Sequence, residues 1–269
     1  GELVTQRRAI FLDVDGTYAL HGRVPDAHVA AVRAARAAGH EVFLCTGRQI
    51  SALPHALTGA GFDGYVAAAG AYVEIDGEPV REENFPRHIA AALLALLDEH
   101  GVQYIVENSQ ELLLPRTAEG LMRNALGAYG GENAEVLIEV VDSFADVPVA
   151  KVICFGGDRP IEEIIAPLAP ALAVVPNSIP DLGAGAGEVY QSHINKAVGI
   201  AAAIDALGIA REDTVAFGDG LNDLEMLEFA GVGVAIEGSD PRVLAAADRT
   251  ARGPEQAGLA DAFAELGLI

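Results

Sequence analysis

Asp13-Val14-Asp15-Gly16-Thr17 sets two carboxylates two residues apart immediately after the apolar run Ala9-Ile10-Phe11-Leu12. A strand period of two turns both acids to one side and Val14 to the other, so the two acids could share a site. Gly16 permits a tight turn whose N–H groups could cradle phosphate oxygens. An Asp/Gly turn without chemistry is the plain alternative. Thr46-Gly47-Arg48 follows a second apolar run, and its hydroxyl and backbone N–H groups suit a transferring phosphoryl group as well as a simple helix N-cap. Gly218-Asp219-Gly220-Leu221-Asn222-Asp223 follows a third run. Asp219 can reach a metal there, while Asn222 and Asp223 fall in the first turn of a helix, where the dipole alone favours an acid. Three carboxylates arriving from two strand ends repel one another unless a cation lies between them, and oxygen ligands beside phosphate suit Mg2+. Of the two lysines, Lys151 lies in a strand and Lys196 opens a helix after Ser192-His193-Ile194-Asn195. Lys196 is the candidate phosphate partner, with an ordinary exposed helix lysine as the alternative. The seven histidines show no paired metal-ligand spacing, although His193 neighbours the Lys196 turn. No Gly-x-Ser-x-Gly elbow, Walker lysine loop or catalytic-cysteine pattern is present.

For these groups to meet, several strand ends must lie along one sheet edge, and the chain supplies the elements. Ala9 to Val14 reads as a buried parallel strand, Pro25 to Ala38 as a helix closed by Gly39, and Glu41 to Cys45 as a second strand. A helix over Gln49 to Ala60 and a short strand over Tyr65 to Ala68 continue the βα pattern. Asp76-Gly77 between β-prone runs then signals a hairpin. Residues 82–185 change character to an α+β insertion: a helix over Pro86 to His100, strands at Gln103 to Glu107, Glu111 to Leu114, Glu135 to Val140 and Val149 to Phe155, and two further helical runs. Gly183-Ala184-Gly185-Ala186-Gly187 marks a hinge or turn at its exit, and no buried strand precedes it as a dinucleotide fingerprint would require. The βα pattern resumes with a helix over Lys196 to Leu207, a strand at Thr214 to Phe217, a helix at Leu221 to Phe229, a strand at Val232 to Ala235, and helices at Pro241 to Ala247 and Gln256 to Leu266. The expected architecture is α/β: a doubly wound, mostly parallel sheet from residues 1–81 and 186–269, interrupted by the α+β insertion at 82–185.

The 269 residues are 51% hydrophobic and 21% charged, which suits a fully folded globular chain. A net charge of -22 and the lack of any Lys/Arg cluster argue against nucleic acid as a partner. The longest uncharged stretch, Ile164 to Pro180, is broken by prolines and is short for a bilayer, so no membrane span is expected. Cys45 and Cys154 each sit in an apolar run and read as buried free thiols, for which the cytoplasm is the expected compartment. Alanine-rich helices suit a core and an interface equally, so no oligomeric state follows.

In order, Asp13-Val14-Asp15-Gly16-Thr17, Thr46-Gly47-Arg48, Lys196 and Gly218-Asp219-Gly220-Leu221-Asn222-Asp223 resemble the four motifs of the haloacid dehalogenase superfamily. The long insertion before the lysine is similar to that of its Cof-type branch, whose Rossmann-like core carries an α+β cap. That resemblance implies a Mg2+-dependent phosphatase acting on a small phosphorylated metabolite, such as a sugar phosphate or a phosphorylated cofactor. Asp13 would be the nucleophile that forms an aspartyl phosphate, and Asp15 the general acid and base. Thr46, Gly47, Gly16, Asp15, Asn222 and Lys196 would hold the phosphoryl oxygens. Mg2+ would be bound by Asp13, Asp219 and the Asp15 carbonyl, with Asp223 supporting the metal shell and Lys196, and the cap would select the substrate. A phosphosugar mutase of the same fold, or a non-catalytic phosphate-binding protein, is the alternative. Two positions depart from the pattern: Tyr18 stands where the family often has Leu, and Ala69 where many Cof-type chains have Asn.

Overall fold

The computed structural model describes residues 6–121, 137–175 and 186–269. The chain divides into two compact units, one formed by Gly1–Arg48, His55–Glu82 and Asn195–Ile269, the other by Gln49–Pro54 and Glu83–Ile194.

The first unit is built on an eight-stranded sheet. Its strands are β1 (Ala9–Leu12), β2 (Glu41–Cys45), β3 (Gly64–Ala67), β4 (Tyr72–Ile75) and β5 (Glu78–Glu82), then β12 (Thr214–Gly218), β13 (Val232–Ile236) and β14 (Arg249–Ala251) from the C-terminal part. The order is β14-β13-β12-β1-β2-β3-β4-β5. β14 through β3 run parallel, and β4 and β5 close the edge as an antiparallel hairpin. β1 sits in the middle with Ile10, Phe11 and Leu12 fully buried, as expected of a parallel strand covered by helices on both faces. Because β1 pairs with β2 on one side and β12 on the other, the strand order reverses at its C-terminal end, the point where open α/β sheets bind ligands. Phe11, Phe43 and Val66 pack with Ile200, Ala203 and Ile204 of the helix Lys196–Leu207, which ties that helix to the sheet.

The Asp76-Gly77 hairpin forms as the sequence predicts, with φ of 52° and 80° at its two central residues, the geometry of a two-residue type I′ turn. The helix expected over Gln49 to Ala60 does not form. It is replaced by a single 3-10 turn at Ile50–Ala52 and a short helix at His55–Thr58, separated by Pro54, which lacks the N–H a continuous helix needs. The 3-10 turn belongs to the second unit, where Ala52 packs with Ile105, Leu112, Leu114 and Ile153.

The second unit carries a six-stranded sheet. Its strands are β6 (Gln103–Glu107), β7 (Glu111–Pro115), β8 (Leu137–Val141), β9 (Lys151–Phe155), β10 (Leu172–Val175) and β11 (Gly187–Gln191), in the order β10-β11-β9-β6-β7-β8. All pairs are antiparallel except β7 with β8. Leu93, Leu94 and Leu97 of the helix Arg87–Glu99 pack on Tyr104, Val106, Val152 and Cys154. The sequence boundary at residue 186 is displaced: β11 pairs with β9 and β10, so the second unit runs to Ile194. Gly183 to Gly185 of the expected hinge lie outside the described residues, and Gly187 is the first residue of β11 rather than part of a hinge. The part of the Glu135 to Val140 strand before residue 137 also lies outside them. β10 and β11 were not legible as strands, since β10 is four residues long and lies within the uncharged, proline-broken stretch. Cys45 and Cys154 are buried free thiols. Among the described residues, no helix is long and apolar enough to cross a membrane.

Candidate active site

Asp13 lies one residue beyond β1, and its N–H donates to Phe217 O at 2.9 Å, so the ladder with β12 fixes its backbone past the strand end. The chain then folds back, with the N–H groups of Tyr18 and Ala19 donating to Val14 O at 3.0 and 2.9 Å. The Gly16 N–H donates to Ala19 O at 2.8 Å. This corrects the expectation that it cradles phosphate, because the loop consumes that donor internally. Gly16 matters sterically instead: its φ is +84°, and a Cβ there would stand 2.1 Å from Asp219 Oδ2.

Four motifs converge in the first unit. Lys196 is the first residue of its helix, behind Asn195, whose side-chain oxygen caps the helix by accepting from Val198 N–H at 3.1 Å. Its side chain is fully buried, and Nζ donates to Asp13 Oδ1 at 2.8 Å and Asp223 Oδ1 at 2.6 Å. Asp223 is committed on both oxygens, since Oδ2 accepts the N–H groups of Asp219 and Gly220, each at 3.1 Å. Those two bonds fix the turn that presents Asp219. Thr17 Oγ1 lies 3.2 Å from Asp219 Oδ1 and 3.5 Å from Asp13 Oδ2, linking the first and fourth motifs. Thr46 is buried directly after β2, and its Oγ1 accepts the Arg48 N–H at 3.1 Å, which leaves the hydroxyl proton to donate elsewhere. The Asn222 amide nitrogen lies 3.8 Å from where a Cβ on Gly47 would stand, so the second and fourth motifs meet as well.

Asp13, Asp219 and Asp223 each bring one carboxylate oxygen within 4.8 Å of the others. Burial pushes the Asp13 pKa up to about 7, with Lys196 opposing and Asp219 reinforcing the shift. Burial also raises Asp223, to about 6, and Asp13 adds to that. Burial pushes the Lys196 ammonium down, but the charges of Asp13 and Asp223 outweigh it and hold its pKa above the ordinary lysine value. One ammonium therefore does not offset this set of acids. A hard divalent cation among Asp13 and Asp219 fits both the oxygen donors and the surplus negative charge. The family resemblance implies a place for Asp223 outside the ligand set. Its carboxylate is in the cluster, yet with Lys196 and two N–H groups as partners it buttresses the cluster from behind. The Asp15 side chain stands apart: it is exposed and paired with Arg48, not with the other acids.

His193 belongs to the second unit, where its Nε2 pairs with Glu83 Oε1 at 2.5 Å. Sequence reasoning did not foresee the contacts of Arg48 with Asp15 or of Thr17 with Asp13 and Asp219. Thr17 reaches Asp13 and Asp219 only because the loop turns back at Gly16, and the Asp15–Arg48 pair depends on the adjacency of β1 and β2, so neither carries a signal in the strand period. Tyr18 is fully buried, edge-on to Phe62 at 5.5 Å between ring centroids. Ala69 adopts φ 54° and ψ 29°, the left-handed region, in a turn whose N–H donates to Thr46 O at 3.0 Å.

A model of the haloacid dehalogenase-like hydrolase family matches residues 10–263. Over 268 residues the chain is 28% identical to the Bacillus subtilis protein named "Putative phosphatase YkrA", covering 97% of this chain and 98% of that one. Over 73 residues, 27% of either chain, it is 48% identical to Bacillus subtilis YitU, named 5-amino-6-(5-phospho-D-ribitylamino)uracil phosphatase. Among solved structures it is similar to BT4131, described as a HAD subclass IIB sugar phosphatase, with a TM-score of 0.77, 25% identity, and coverage of 97% of this chain and 100% of that one.

Proposed function

The chain belongs to the haloacid dehalogenase-like hydrolase family, and we propose that it is a phosphatase that moves the phosphoryl group of a small metabolite onto Asp13 and then to water. The observation that carries this reading is the placement of Asp13 past the end of the central strand, against the buried Lys196 ammonium and beside Asp219. An ionised carboxylate so held is a nucleophile with its charge partly offset and its direction fixed.

In the proposed reaction a carboxylate oxygen of Asp13 forms a bond to phosphorus as the ester P–O bond breaks. Asp15 gives its proton to the departing oxygen and is left as a carboxylate. Water then attacks phosphorus, Asp15 takes its proton, and the aspartyl P–O bond breaks to release phosphate. Thr46, the backbone at Gly47, Asn222 and Lys196 hold the phosphoryl oxygens. Mg2+, held by Asp13, Asp219 and the Asp15 carbonyl, would supply the positive charge that phosphoryl transfer requires. The second unit is assigned the role of a substrate-selecting cap.

We infer a phosphate ester of a polyhydroxylated compound as substrate, a sugar phosphate or a phosphorylated cofactor precursor. The named activities of BT4131 and YitU support that class, since a sugar and a ribityl chain both present a phosphate on an alkyl carbon. The test is phosphate release from a panel of phosphorylated metabolites with and without Mg2+, comparing the wild type with Asp13→Asn. Metal-dependent release abolished by the substitution is expected. Release that persists in Asp13→Asn, or isomerised product with little free phosphate, would overturn the reading.

A further inference from the structure

The Asp15 side chain is 59% exposed, yet Arg48 Nη2 donates to both of its oxygens, at 3.1 and 3.2 Å. Arg48 is itself anchored at the backbone. Its N–H donates to Thr46 Oγ1 at 3.1 Å, and its carbonyl accepts the Ala68 N–H at 2.7 Å. The Arg48 side chain is 29% exposed and reaches from the end of β2 to the loop after β1, the neighbouring strand. An ion pair this open to water adds little to stability. Its effect lies in orientation: an exposed aspartate with no partner samples its rotamers freely, and a proton donor displaced by even an ångström loses much of its rate.

Resting on the phosphatase reading above, we propose that Arg48 is a positioning residue for the acid/base carboxylate of Asp15. When Asp15 has given its proton to the leaving oxygen it is a carboxylate, the form a guanidinium pairs with. The pair then holds it in place until it takes a proton from the attacking water. Arg48 acts through Asp15 in this scheme and does not grip the transferring phosphoryl group.

The two roles separate by leaving group. A p-nitrophenolate departs without a proton, whereas phenolate and alkoxide leaving groups need one increasingly, so a misplaced acid penalises the poorer leaving groups. The experiment measures kcat/KM of wild type, Arg48→Met and Arg48→Lys on p-nitrophenyl phosphate, phenyl phosphate and the best sugar phosphate. Because kcat/KM reports steps through the first phosphoryl transfer, slow release of phosphate from Asp13 does not mask the effect. In Arg48→Met, kcat/KM for phenyl phosphate relative to p-nitrophenyl phosphate is expected to fall about tenfold, a part of what a positioned general acid contributes. Arg48→Lys recovers some of the ratio, and adding Arg48→Met to Asp15→Asn lowers it no further. Equal losses on all esters would identify a phosphoryl-binding arginine and overturn the proposal, as would an unaltered ratio or losses that add to those of Asp15→Asn. Asp13→Asn, run alongside, separates the two inferences: release that survives it refutes the phosphatase route whatever Arg48 does. Thermal unfolding of each variant checks that the fold is kept.

Discussion

Lys196 reaches Asp13 at 2.8 Å from within a fully buried side chain, so the candidate nucleophile and its counter-charge form a buried ion pair. Asp223 completes a triad at 2.6 Å. The arrangement costs desolvation and is held by mutual satisfaction, which makes it sensitive to loss of any one member.

Lys196→Met is expected to destabilise the protein by about 3–5 kcal/mol, because it leaves Asp13 and Asp223 buried without a cation. Urea unfolding measures it, and adding Asp223→Asn should recover part of the loss by removing one stranded charge. Activity should be lost in both variants.

Gly16→Ala combines a left-handed backbone with a Cβ that would stand 2.1 Å from Asp219 Oδ2. Asp219 must move, and with it the donor set proposed for Mg2+. The concentration of Mg2+ that half-maximally raises the unfolding temperature should increase by about 10–100-fold, the usual consequence of disturbing the support of a metal ligand. An unaltered Mg2+ response would place the metal away from Asp219.

His28 is buried and ties the loop after β1 to the last helix (Gly258–Glu265): Nδ1 meets Tyr18 O at 2.9 Å, and Nε2 accepts the Leu259 N–H at 3.2 Å. Burial holds its pKa below the ordinary 6.5, against the smaller opposing effect of its backbone hydrogen bonds. The unfolded chain therefore binds the proton first as pH falls, and stability drops from about pH 6.5 downward, by at most about 1.4 kcal/mol per pH unit from this group. Because the raised Asp13 and Asp223 carboxyls act in the opposite direction over the same range, the effect of His28 is read as a difference: from pH 7.5 to 5 the urea midpoint of His28→Gln should gain on that of the wild type.

Ala69 occupies the left-handed region, where a β-carbon is disfavoured and asparagine is better accommodated. Ala69→Asn should stabilise the protein by about 0.5–1 kcal/mol, read from the shift in the urea midpoint. A destabilised variant would mean that the asparagine side chain clashes beside Thr46.

The sequence exposes the core sheet because β1, β2 and β12 are apolar runs with chemistry directly at their ends. It exposes Asp13, Thr46, Lys196 and Asp219 because each follows such a run or re-enters after the insertion. It does not expose the fate of the Gly16 N–H, which depends on how the loop closes on Ala19, nor the Asp15–Arg48 pair, which depends on the lateral order of strands. The helix over Gln49 to Ala60 fails where Pro54 competes with helical periodicity, and Ile50–Ala52 is claimed instead by packing in the second unit. β10 and β11 escape notice because short strands gain their stability from neighbours distant in sequence.

The central claim is that Asp13 becomes phosphorylated. Acid-quenched turnover of a sugar phosphate in the presence of Mg2+, followed by peptide mass analysis, measures this most directly. A mass increase of one phosphoryl group on the peptide containing Asp13, enriched in Asp15→Asn and absent in Asp13→Asn, is the expected result. Phosphate release at full rate with no label on Asp13 at any quench time, in the wild type or in Asp15→Asn, would contradict the covalent route.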